Sequence, residues 1–253
     1  MTDLRLPDFV IAGAPRCGTT WLYEVANRHT GIAMAAPVAP EPKFFLVDEI
    51  FEKGLAHYSR TWFENIPNDL MAGEKSANYM ESPTAAIRLA QSLPRIKLVF
   101  LLRDPVARAH SNYLWSRQNG WETERFTDAL ASEAERLSSL PDKARFARPY
   151  AYFDRGRYAH YLATWFDHFP RENILVLKFE DIGKSPESVA DTFSEFLGLD
   201  RQSTITEGLD RINAAQAEQP SPLPEPLVAT LRDRYREENR NLPRLLGWDP
   251  AWF

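Results

Sequence analysis

The 253-residue chain reads as an α/β fold, a three-layer sandwich with a central parallel sheet and helices on both faces, and three observations predict it. Four apolar runs are short and continuous rather than alternating, as strands covered on both faces are. Segments of helical character separate them, which is the strand-helix order of a parallel sheet. A turn containing two glycines, Gly13-Ala14-Pro15-Arg16-Cys17-Gly18-Thr19-Thr20, joins the first run to the first helix.

In chain order, the strands are expected over 9–12, 70–73, 96–102 and 174–178. The first helix starts with Trp21-Leu22-Tyr23-Glu24-Val25-Ala26. Ser82-Pro83, Asp104-Pro105 and Ser185-Pro186 each place a capping side chain before a proline at the first helical position. The last of these opens a helix whose apolar face is Val189, Phe193, Phe196 and Leu197. A proline-rich stretch over 219–226 reads as an extended connector into the final helix. With no Gly/Ser linker and no internal repeat, one domain over 1–253 is expected. Ligands of such sheets bind at the carboxyl ends of the strands, and Gly13, Glu74 and Arg103 are all expected just past a strand end.

The glycine turn has the chemistry of an anion loop. Backbone N–H groups at a helix start point at the ligand with the positive end of the helix dipole, and Gly13 and Gly18 allow close approach. In the nucleotide triphosphatase pattern Gly-x4-Gly-Lys-Ser/Thr the lysine would stand at Thr19. It is missing, and Arg16 supplies a cation from inside the loop instead. A plain tight turn remains the structural alternative. Further along, an apolar run ends in Arg103, an Asp-Pro start follows, and Ser111 lies two helical turns in.

These two segments, with Gly73-Glu74-Lys75-Ser76-Ala77-Asn78-Tyr79 between them, resemble the sulfotransferases that use 3'-phosphoadenosine-5'-phosphosulfate (PAPS). The resemblance is strongest to the branch with the heparan sulfate enzymes and bacterial relatives. It implies a phosphate-loop-type fold, a 5'-phosphosulfate loop of Arg16, Cys17, Gly18, Thr19, Thr20 and Trp21, and a 3'-phosphate clamp of Arg103 and Ser111. Tyr158, opening the helix after Gly156-Arg157, is a further donor contact or a core residue, and Arg211 stands roughly where the family has a basic loop. Arg16 takes the place of a lysine at the departing phosphate. Glu74 is expected to be the general base, with His110 the first of the histidines to consider in its stead. Pro40-Glu41-Pro42-Lys43-Phe44-Phe45 resembles the family's Lys-Glu-Pro-x-Phe-Phe segment with Pro40 replacing the leading lysine, and Phe44 and Phe45 line an acceptor pocket or pack in the core. Competing readings are a kinase-like phosphotransferase with a degenerate loop and a silent nucleotide-binding scaffold.

Composition narrows the partners. Net charge is −5, from 30 Lys plus Arg against 35 Asp plus Glu, so no basic footprint for nucleic acid is expected and a small-molecule or short glycan acceptor suits better than a long polyanion. No metal-ligand spacing of His, Cys or carboxylates is present, so a metal-free reaction with PAPS and its product PAP is expected. The absence of an eighteen-residue apolar run or signal-like start, together with the single cysteine, Cys17, points to a cytoplasmic protein without a membrane span. The oligomeric state is left open.

Overall fold

The computed structural model describes residues 4–141, 145–202, 206–209 and 222–253. Along the chain run β1 (Phe9–Gly13), α1 (Thr19–Arg28), β2 (Ile32–Met34), α2 (Asp48–Phe51), α3 (Leu55–Trp62), β3 (Met71–Lys75), α4 (Pro83–Ser92), β4 (Lys97–Leu102) and α5 (Pro105–Gln118). They are followed by α6 (Phe126–Ala131), α7 (Glu133–Ser138), α8 (Tyr158–His168), β5 (Ile174–Lys178), α9 (Phe179–Ile182), α10 (Pro186–Leu197), α11 (Glu225–Glu238) and α12 (Leu242–Leu246).

The five strands form one sheet in the order β2-β3-β1-β4-β5, and every described pairing is parallel. The four expected strands are all present. The fifth, β2, is an edge strand of three residues, too short to show any periodicity in the sequence. Both faces are covered. Phe9 sits in register with Lys97, so Phe9 and Phe100, three positions further along β4, point to opposite faces. The Phe9 ring meets Phe193 of α10 at 5.5 Å, and the Phe100 ring meets Trp165 of α8 at 5.3 Å. A second apolar cluster, including Tyr113, Phe126, Tyr152, Leu231 and Tyr235, packs between α5, α6 and α11.

Two of the three expected caps form as read: Ser82 Oγ accepts from the Ala85 amide at 3.1 Å, and Asp104 Oδ1 accepts from the Ala107 amide at 2.8 Å. Ser185 precedes Pro186 as expected but its side chain accepts no capping bond. The larger departure is in β3, which runs two residues beyond the expected end, so Glu74 lies within the strand, paired in register with Val10. Because strand side chains alternate between faces, that extension sends Glu74 and Lys75 in opposite directions.

The strand order reverses around β1: the chain passes to β2 and β3 on one side, then crosses to β4 on the other. Such a reversal opens a crevice at the carboxyl end of the central strand. The loop after β1 begins in that crevice, tied to β4 by the Ala14 amide on Leu101 O at 2.9 Å.

Candidate active site

The loop between β1 and α1 is shaped by close packing and by two left-handed residues. Gly13 lies under the 3-10 turn Ala77–Glu81, and a Cβ there would stand 2.5 Å from Met80 Cβ. Gly18 precedes α1 with φ 88, and a Cβ would also press on Phe179 at 2.9 Å, so only glycine fits. Arg16 has φ 68, a conformation that costs a residue with a Cβ about 1–2 kcal/mol. Strain of this kind collects at functional positions, and here it belongs to the one cation of the loop.

Arg16 reaches across to the other expected phosphate element: its Nε donates to Ser111 Oγ of α5 at 3.3 Å. Arg103, at the end of β4, lies with its guanidinium 4.5 Å from the centre of the Phe179 ring. Among the described residues neither Arg16 nor Arg103 meets a carboxylate at ion-pair distance. Burial, followed by the nearby charge of Arg103, holds Arg16 below its ordinary pKa, as expected of cations gathered without counter-ions. Arg108, fully buried on α5, adds positive potential from behind while its Nη2 donates to Tyr152 O. The arrangement has the chemistry to hold an anion, since a negative group would relieve the repulsion among these cations.

Other members of the expected donor set take different places. Thr20 is half-buried beside Gly18, whereas Thr19 and Trp21 are 6% and 4% exposed and face the interior. Tyr158 is fully buried. Its hydroxyl donates to Arg103 O at 2.8 Å and lies 3.7 Å from Cys17 Sγ, so it ties the loop to the β4 end. Burial pushes the Cys17 thiol up to about 11, which makes it an inert packing group at neutral pH. Arg211 lies outside the described residues. His110 is half-buried, stacked near Tyr113, and held below its ordinary pKa by burial and then by Arg103.

On the other side of β1, Glu74 has 0% exposure. Its Oε2 accepts from the Tyr58 hydroxyl of α3, while Oε1 accepts no bond of good geometry. Burial raises its carboxyl to about 7, and the hydroxyls of Ser76, Tyr58 and Tyr79 pull in the opposite direction. Lys75, on the opposite face, pairs with Glu41 at 2.5 Å. Glu41, with 14% of its side chain exposed, is the carboxylate the sequence analysis passed over; the segment 40–45 was the signal that could have found it. Phe44 and Phe45 are buried, 1% and 0% exposed, and belong to the core. A cleft of about 200 Å³ opens beside these two segments, lined by Leu46, Asn78, Ser82, Arg145, Phe146 and Arg148. No group of three or more potential metal ligands occurs among the described residues. No described helix is long and apolar enough to cross a membrane.

Known proteins fit this geometry. The chain is 27% identical over 98% of its length to human heparan sulfate glucosamine 3-O-sulfotransferase 6, covering 74% of that protein. It is 29% identical over 77% of its length to the Caenorhabditis briggsae bifunctional heparan sulfate N-deacetylase/N-sulfotransferase 1, of which it spans only 23%. Among solved structures, the sulfotransferase from Alicyclobacillus acidocaldarius superposes with a TM-score of 0.80 at 26% identity, covering 98% of both chains. Mouse SULT7A1, solved with PAP, shares the fold at a TM-score of 0.61 and 18% identity, over 97% of this chain and 89% of that one. Residues 6–218 match the sulfotransferase domain family, to which this chain belongs.

Proposed function

We propose that the whole chain is one catalytic unit that transfers a sulfuryl group from PAPS to a hydroxyl of a small-molecule or glycan acceptor. The observation that carries this reading is the pair Arg16 and Arg103, two guanidinium groups without carboxylate partners among the described residues, Arg16 bonded to Ser111 and Arg103 near enough for its charge to act on Arg16. Such a pair suits a nucleotide with phosphates at both 5' and 3' positions and gives AMP only half its binding groups. A lysine-dependent grip on a triphosphate has no counterpart at Thr19, which argues against the phosphotransferase reading.

Bound PAPS supplies the sulfuryl group and a phosphate leaving group. In this reading Arg16 neutralises charge at the departing 5'-phosphate, with amide N–H groups of the loop and the Thr20 hydroxyl beside it. Arg103 and Ser111 hold the 3'-phosphate, which releases Arg16 from Ser111 as both turn to the donor.

The base is assigned to Glu41 rather than to Glu74. A general base must come within hydrogen-bond reach of the acceptor. Glu74 has no exposed surface and commits one oxygen to Tyr58. Glu41 is partly exposed, and Lys75 occupies only its Oε1, leaving Oε2 to take the acceptor's proton.

Calorimetry with the bare nucleotides tests the donor assignment. PAP is expected to bind at least about tenfold more tightly than AMP or ATP in the absence of magnesium, since each charge-assisted phosphate contact contributes about 1.5–3 kcal/mol. Equal affinity for AMP and PAP overturns it. Transfer of labelled sulfate from PAPS to a panel of hydroxyl and amine acceptors then tests the acceptor class.

A further inference from the structure

Residues 41–45 form neither helix nor strand, yet they are held at almost every position by residues 74–79 and their partners. Glu41 pairs with Lys75 at 2.5 Å. The Lys43 amide donates to Ser76 Oγ at 2.9 Å, and the Phe45 amide donates to the Tyr79 hydroxyl at 3.2 Å. Between them the Phe44 ring stacks on Tyr58 with centroids 4.3 Å apart and planes 14° from parallel, and Tyr58 in turn donates its hydroxyl to Glu74. Lys43 sits at φ 51, a conformation a residue with a Cβ keeps only when its surroundings over-determine it.

We infer that Glu74 is a positioning residue which, through Tyr58 and alongside Ser76 and Tyr79, clasps the 41–45 segment so that Glu41 Oε2 is presented to the acceptor. The inference rests on the assignment of Glu41 as the base and adds to it the device that holds that base. A buried carboxylate is an expensive anchor, since an apolar residue of the same size packs without desolvation cost. What the carboxylate adds is direction: it fixes the Tyr58 hydroxyl, hence the ring, hence Phe44. The groups facing Glu74 are Tyr58 from α3, Ser76 and Tyr79 at the 3-10 turn, and Glu41 from the loop.

Steady-state kinetics on four variants, with PAP binding measured on each preparation, test this. Glu41→Gln is expected to lower kcat about a hundredfold or more, the scale of general-base loss. Tyr58→Phe, which keeps the ring and removes the hydroxyl, and Glu74→Leu are expected to lower kcat about tenfold through misplacement of the base, with PAP affinity unchanged. Glu74→Gln, which still accepts from Tyr58, is expected to stay within about threefold of the natural enzyme with PAP affinity unchanged.

A loss in Glu74→Gln as deep as in Glu41→Gln overturns the inference, because Glu74 would then be the reacting base. Unchanged kcat in both Tyr58→Phe and Glu74→Leu overturns it while leaving Glu41 as base. Full activity of Glu41→Gln removes the underlying assignment and the inference with it, leaving donor binding untouched. Should Glu74→Leu fail to bind PAP, Tyr58→Phe and Glu74→Gln decide the matter alone.

Discussion

Arg16 and Arg103, at the carboxyl ends of β1 and β4, meet no carboxylate among the described residues, whereas Arg136, Arg148, Arg155 and Arg157 all do. Arg155 pairs with Glu81 at 2.7 Å, and Arg148 with Glu81 at 2.6 Å and with Asp154. Arg136 pairs with Glu122 at 2.7 Å, and Arg157 with Glu238 at 2.8 Å. Buried charge that is matched within the protein holds helices and turns together, while unmatched charge at the strand ends is available to an anion. Burial does not draw this line, since the matched Arg148 and Arg157 are half-buried, as Arg16 and Arg103 are.

Breaking a matched pair is expected to give the largest effect on folding. Glu81→Ala leaves Arg155, and part of Arg148, as uncompensated buried charge, for a loss of about 3–5 kcal/mol; urea denaturation measures it, and a loss below about 1 kcal/mol would erase the contrast. Removing unmatched charge acts on chemistry instead. Arg16→Ala is expected to lower turnover about 100- to 1000-fold, as loss of one transition-state charge donor does, with a smaller change in PAP affinity. It should also leave the melting temperature unchanged or raised, because like-charge repulsion and backbone strain are relieved. Unchanged turnover with a working acceptor removes Arg16 from the mechanism.

Glu74 is the test between the two classes. Its carboxyl is raised from 4.5 to about 7, so the folded state binds the proton more tightly than the unfolded chain. The stabilisation that this gives is complete below pH 4.5 and lost as pH rises through about 7. Glu74→Gln cannot ionise, so its stability relative to the natural protein should rise across that window, by up to about 3 kcal/mol at pH 8. Melting curves at pH 5 and pH 8 read the difference, and a constant gap at both values would show that burial does not dominate this carboxyl. The smallest effect is expected at the cleft. Arg145→Ala should change acceptor KM by about threefold and leave PAP binding alone, the modest scale of an exposed charge.

The sheet and the anion loop were legible because each rests on local chemistry. Continuous apolar runs, proline-marked helix starts and a glycine turn all act within a few residues. That Arg103 and Ser111 come close to the loop was legible for the same reason, since both stand at one strand-to-helix junction. The Glu41–Lys75 pair was not, because its members stand 34 residues apart and only the folded sheet brings them together. Glu74 was read at the right strand and the wrong depth. Two more residues of pairing carry β3 past the expected end, and alternation then turns Glu74 into the interior. The isolated Ile32–Met34 strand carries too few residues to outweigh its loop-like neighbours, and it is pairing with β3 that makes it a strand.

The Tyr158 hydroxyl deserves to be considered as a measuring device. By bonding Arg103 O and touching Cys17 Sγ, one rigid ring sets the interval between the loop after β1 and the tip of β4, the two elements proposed to hold the two ends of the donor. A gauge made of a buried phenol does not stretch. Under the proposed donor assignment, a nucleotide whose two anionic ends lie at another separation, such as a 2',5'-bisphosphate, would find one end seated and the other out of reach.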